Sequence, residues 1–124
     1  MPIPLPMTRC VIAASVGFLT LMPVETSAHA ILEASSPEAG ASVPAGTMAL
    51  HLRYNSRIDS QRSRVILIGP DQTQAVLAVK ADASPDGLTA QTNVSPGTYT
   101  VRWQVLAVDG HITRGSFSFT VVGP

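Results

Sequence analysis

Met48, Leu50, Leu52 and Tyr54 alternate with Thr47, Ala49, His51 and Arg53. A side-chain period of two puts the apolar set on one face of an extended chain and leaves the other face to water. Tyr99, Val101, Trp103, Val105 and Ala107 repeat the pattern against Thr98, Thr100, Arg102, Gln104, Leu106 and Val108. Phe117, Phe119 and Val121 do so against Ser116, Ser118 and Thr120. After residue 28, no window carries helical spacing over ten or more positions. One-sided strands with no helices to cover them must bury their apolar faces against each other, so the chain is expected to be all-β.

Turn chemistry divides the rest. Arg64 to Gly69 is a short β-branched run closed by Pro70-Asp71, and Ala75 to Val79 follows at hairpin distance. Ala81 to Gly87 reads as loop, Leu88 to Thr92 as a strand, and Ser95-Pro96-Gly97 as a turn. With Ala30 to Ala34 as the first strand, the pattern predicts about seven strands. The expected architecture is a small antiparallel β-sandwich with Greek-key connections, Ig-like in outline.

The first 28 residues read differently. A short basic start ends at Arg9, and an apolar run follows from Cys10 to Met22. Thirteen residues are too few to span a bilayer, for which about 20 are needed, so the run is expected to be the core of a cleaved export signal. In E-T-S-A-H-A-I-L-E, both Thr26/Ala28 and Ala28/Ala30 meet the small-residue rule for cleavage. One cut makes His29 the first residue of the mature protein, and the other removes it. By local rules the two are close.

A mature chain from His29 to Pro124 has 96 residues and no cysteine, since Cys10 is the only one. The export signal implies an oxidising compartment, yet no disulfide or thiolate metal site is available. Arg53, Arg57, Arg62, Arg64, Lys80, Arg102 and Arg114 balance Glu33, Glu38, Asp59, Asp71, Asp82, Asp86 and Asp109. Such a balance argues against nucleic acid or an anionic membrane as a partner reached through bulk charge.

V-D-G-H-I-T-R-G, Val108 to Gly115, joins the two best strand candidates. Asp109 and His111 are two apart, so in an extended segment both side chains leave on one side. They suit two ligands of one metal, or a base with its orienting acid. Taken alone, Asp-Gly is an ordinary hairpin turn and the histidine an ordinary solvated one. A mature N-terminal His29 adds a second feature, because its free amine and imidazole can chelate one metal. Three nitrogens and one oxygen lean towards Cu(II), with Zn(II) as the competitor.

Three segments carry a family likeness: H-A-I-L-E-A-S-S-P-E-A-G-A from His29, L-H-L-R-Y-N-S-R-I-D from Leu50, and Y-T-V-R-W-Q-V-L-A-V-D-G-H-I-T-R-G-S-F-S-F-T-V from Tyr99. Through them the chain resembles the CopC family of periplasmic copper-binding proteins over nearly all of residues 29 to 122. The resemblance implies a small Greek-key barrel or sandwich, cupredoxin-like, that is not an enzyme. It further implies one Cu(II) per chain held by the amine and imidazole of His29 with Asp109 and His111, and cleavage after Ala28. It implies a periplasmic role in copper homeostasis or resistance, with an inner-membrane CopD-like protein as partner; a monomer is the default expectation.

Two departures limit the likeness. Some relatives bear a methionine-rich Cu(I) site, but the mature chain keeps only Met48, on the apolar face of a strand. Many relatives also carry a Glu in the segment matching Asn55-Ser56-Arg57, and here it is absent. His51, on a polar face, reads as a solvated histidine, and Arg57, Arg62 and Arg64 as a solvated strand edge. Trp103 reads as the core aromatic. Two other functions are compatible with the same residues: a copper redox enzyme with an N-terminal histidine brace, or a metal-free Ig-like adhesion or assembly module.

Overall fold

The computed structural model describes residues 2–4, 17 and 30–123. The expected signal segment, beyond those four positions, and His29 lie outside the described residues. Nine strands form, β1 (Leu32–Ser36), β2 (Ser42–Pro44), β3 (Gly46–Tyr54), β4 (Ile58–Ile68), β5 (Gln74–Leu77), β6 (Lys80–Ala81), β7 (Gly87–Val94), β8 (Gly97–Ala107) and β9 (Ile112–Val122). No helix is present among the described residues. One sheet has the order β1-β3-β7-β6 and the other β2-β9-β8-β4-β5. The chain crosses between them after β1, β2, β3, β5 and β7, which is what closes the two sheets into one sandwich.

The alternation puts the core where the pattern requires. Leu50, Leu52 and Tyr54 from β3 face Val101, Trp103, Val105 and Ala107 from β8, all buried. Met48 is buried with them, 8% exposed, as a core residue. The Tyr54 and Trp103 rings meet edge to face with centroids 5.2 Å apart, and Tyr99 stacks on Phe119 at 5.5 Å. Such pairs contribute about 0.5–1.5 kcal/mol beyond the area they bury. The Tyr99 hydroxyl also accepts a hydrogen bond from the Ser95 N–H at 3.0 Å, tying the turn before β8 to its first inward side chain.

Four details differ from the expectations. There are nine strands rather than about seven, because β2 and β6 have only three and two residues and no readable period. β2 runs parallel to β9, whereas an all-antiparallel sandwich is expected. The first strand starts at Leu32 rather than Ala30, with an irregularity in its pairing to β3 between Leu32 and Ala34. β4 starts at Ile58, six residues before the expected run, since its register against β8 shifts between Asp59 and Arg64 and breaks the alternation. Ser63 stabilises that irregularity: its hydroxyl donates to the Asp59 carbonyl at 2.7 Å and accepts from the Leu106 N–H at 3.2 Å.

Candidate metal centre

β8 and β9 form the longest uninterrupted ladder, in register from Gly97↔Val121 to Leu106↔Ile112. Their junction therefore projects rigidly from one end of the sandwich. The turn is closed by Ala107 N–H to the His111 carbonyl and Gly110 N–H to the Ala107 carbonyl, each 2.9 Å. Gly110 has φ 92°, a conformation that costs a side-chain-bearing residue but not glycine. The segment is thus a tight turn, not the extended chain that the spacing suggests. Asp109 and His111 still come together, because the turn folds the backbone of one onto the side chain of the other.

Asp109 Oδ1 accepts the His111 backbone N–H at 3.1 Å, and Asp109 Oδ2 lies 3.2 Å from His111 Nδ1. The side chains are 33% and 57% exposed respectively. The backbone N–H of His111 is the main influence holding the Asp109 carboxyl below its ordinary range, followed by the imidazole as hydrogen-bond partner and charge. At neutral pH the turn thus presents a carboxylate beside an imidazole. Two donors each about 2.0–2.2 Å from one metal, at angles between square and tetrahedral, are about 3 Å apart. The observed pair fits that spacing without reorganisation, and equally fits a carboxylate that orients a ligating histidine.

The third expected ligand, His29, lies outside the described residues, and no group of three or more His, Cys, Asp or Glu side chains gathers among the described ones. The chain immediately after His29 is well placed. Ala30 is fully buried in the core. Ile31 donates its N–H to Asn55 Oδ1 at 2.7 Å and accepts the Asn55 N–H at 3.0 Å. Two residues further, the Arg57 carbonyl accepts the Val108 N–H at 3.2 Å. One short loop, Asn55 to Arg57, therefore grips both the start of the described domain and the Asp109–His111 turn.

Among the described residues, three buried hydroxyls have no hydrogen-bond partner: Tyr54 OH, Ser56 Oγ and Thr113 Oγ1. Burial raises the Tyr54 phenol far above its ordinary pKa, so it stays a neutral donor and acceptor. Buried polar groups are normally satisfied, and these three suit ordered water. Sequence reading gives no signal for them. It notes the Asn55–Arg57 segment for the acid it lacks, not for the grip it provides.

His51 is half exposed on the four-stranded sheet, its Nδ1 3.8 Å from Asp82 Oδ2. Arg57, Arg62 and Arg64 are exposed, and Arg62 lies 3.8 Å from Asp59. A surface concavity of about 320 Å³ is lined by Ala78, Lys80, Thr89, Ala90 and Gln91, and neither Asp109 nor His111 borders it.

Residues 32–122 match the CopC domain. The chain is similar to Protein YobA of Escherichia coli K12, with 33% identity over 98 residues, covering 76% of this chain and 79% of YobA. It is also similar to Copper resistance protein C of Xanthomonas campestris pv. juglandis, with 29% identity over 111 residues, covering 82% and 87%. Among solved structures, CopC from Methylosinus trichosporium OB3b superposes with a TM-score of 0.71 at 28% identity, over 77% of this chain and 95% of that one. PcoC from Escherichia coli, a methionine-rich copper resistance protein, gives 0.63 at 25%, over 77% and 100%. The two-sheet fold, the match across residues 32–122 and the curated relatives agree, and the chain belongs to the CopC family.

Proposed function

We propose that this protein is a periplasmic Cu(II)-binding protein of copper resistance or homeostasis that sequesters or delivers one copper ion per chain. In this reading residues 1–28 are a signal peptide removed after Ala28, and residues 29–124 are the working domain. The ligands are the amine and imidazole of His29, the Asp109 carboxylate and the His111 imidazole. Copper is cargo, and the protein is a carrier, not an enzyme. A monomer hands the ion to, or takes it from, an inner-membrane protein of the CopD kind.

The observation that carries the reading is the shared loop. Ile31 and Val108 are both hydrogen-bonded to residues 55–57, and two residues of chain reach at most about 7 Å. The described domain therefore begins, two residues after His29, on the same three-residue segment that holds the turn bearing Asp109 and His111, which supports a site shared by the three. Membership of the CopC family and the copper-resistance names of two relatives support the choice of metal.

Both imidazoles and the amine must be unprotonated to bind. Affinity thus falls as the medium becomes acidic. The test compares Cu(II) affinity of protein beginning at His29 with protein bearing one extra N-terminal residue, which keeps every side chain but removes the chelating amine. The extended protein is expected to bind at least tenfold more weakly. Equal affinities would rule out the amine as a ligand.

A further inference from the structure

Asn55 makes two hydrogen bonds to a single residue, and that residue is two positions from the proposed N-terminal ligand. Its side-chain oxygen accepts the Ile31 N–H at 2.7 Å, and its own N–H donates to the Ile31 carbonyl at 3.0 Å. Both main-chain groups of Ile31 are thereby engaged by one partner. Ile31 is otherwise 56% exposed, and the β1–β3 ladder begins only at Leu32↔Tyr54, with an irregularity in the next step.

We infer that Asn55 is a positioning residue for the metal centre, orienting the mature N-terminus towards the Asp109–His111 turn; the inference rests on the Cu(II) reading above. The backbone of the same loop holds that turn, through the Arg57 carbonyl and the Val108 N–H at 3.2 Å. The loop therefore fixes two groups of ligands relative to each other. A terminal residue with a charged amine would otherwise explore many orientations, and ordering it on binding would cost affinity. The carboxamide is suited to the role because its oxygen accepts the Ile31 N–H. Aspartate would preserve the acceptor, and alanine would leave the Ile31 N–H to water.

The experiment measures Cu(II) affinity and the electron paramagnetic resonance spectrum of four proteins that begin at His29: the parent, Asn55→Ala, Asn55→Asp, and the parent with one added N-terminal residue. A fifth combines Asn55→Ala with the added residue. Loss of an outer partner that orients a ligand typically lowers metal affinity about 10- to 100-fold. Asn55→Ala is expected to weaken binding about tenfold and to alter the nitrogen hyperfine pattern, while Asn55→Asp stays within about threefold of the parent. In the extended protein, where the amine no longer chelates, Asn55→Ala is expected to change affinity less than about twofold. A lower melting temperature with unchanged copper affinity and spectrum would overturn the inference, as would equal losses in both backgrounds. If Asn55→Ala fails to fold, a tenfold loss in Asn55→Asp with an intact melting transition also overturns it. Failure of the parent itself to bind Cu(II) would refute the functional reading, and the inference with it.

Discussion

Gly115 lies opposite Trp103 in the β8–β9 ladder, and a methyl group built on it would sit 2.3 Å from Trp103 Cζ2 and 2.6 Å from Cε2. Two effects of opposite sign compete in Gly115→Ala. Removing glycine from a strand interior is ordinarily worth about 0.5–1 kcal/mol in favour of alanine. Against this, non-bonded carbons rest about 3.5–4.0 Å apart, so the indole must retreat by more than 1 Å. It has little room: Trp103 is 6% exposed and braced by the Tyr54 ring 5.2 Å away. Overpacking of a tight core costs about 1–3 kcal/mol, and an immobile ring belongs at the upper end. The net expectation is a loss of about 2 kcal/mol, which for a domain of this size lowers Tm by about 8–16 °C. Trp103 is the only tryptophan, so its fluorescence follows both the melt and the displacement of the ring. In a Trp103→Phe background the clashing six-membered ring is absent, and Gly115→Ala is expected to cost less than about 0.5 kcal/mol. An unchanged or raised Tm in the single variant would refute the packing account.

Gly110→Ala tests backbone rather than packing, since φ is 92° while an added methyl meets nothing within 4 Å. A loss of about 1–2 kcal/mol is expected in urea unfolding, with Gly110→Asn milder, and Cu(II) affinity should fall with it because Asp109 and His111 lose their alignment. Asp71 tests an acid-linked turn between β4 and β5: its carboxylate accepts the Thr73 hydroxyl at 2.7 Å and the Thr73 N–H at 3.1 Å, and these bonds hold its pKa below the ordinary value. A carboxyl with a depressed folded pKa stabilises the fold above its unfolded value, about 3.9, and loses that contribution as pH falls through the lower folded value. Thermal melts should therefore show Asp71→Ala below the parent near neutral pH, with the gap closing in acid; a gap that widens in acid would contradict the sign.

What the sequence discloses depends on whether a residue's role is periodic. The inward faces of β3, β8 and β9 are legible because each strand buries one side and wets the other, so Leu50, Trp103 and Phe119 announce their direction by their neighbours. The edge pieces Ser42–Pro44 and Lys80–Ala81 are too short to have a period, and their pairing is set by tertiary contact with β9 and β7. β4 is legible only from Arg64 onward, because the bulge held by Ser63 shifts the phase of everything before it. The Asp109–His111 pairing is legible from spacing, though for a reason other than the one the spacing offers: a glycine at positive φ curls the turn and brings imidazole to carboxylate. Asn55 is not legible at all. Its role is fixed by a partner 24 residues away, which no local pattern encodes.

The central claim is that removal of the signal peptide creates a metal ligand. The intact mass of the protein exported by its own cell, taken before and after loading with one equivalent of Cu(II), tests it most directly. The account predicts a chain that begins at His29 and gains a single copper. A chain beginning at Ile31, or one beginning at His29 that retains no copper, would contradict it.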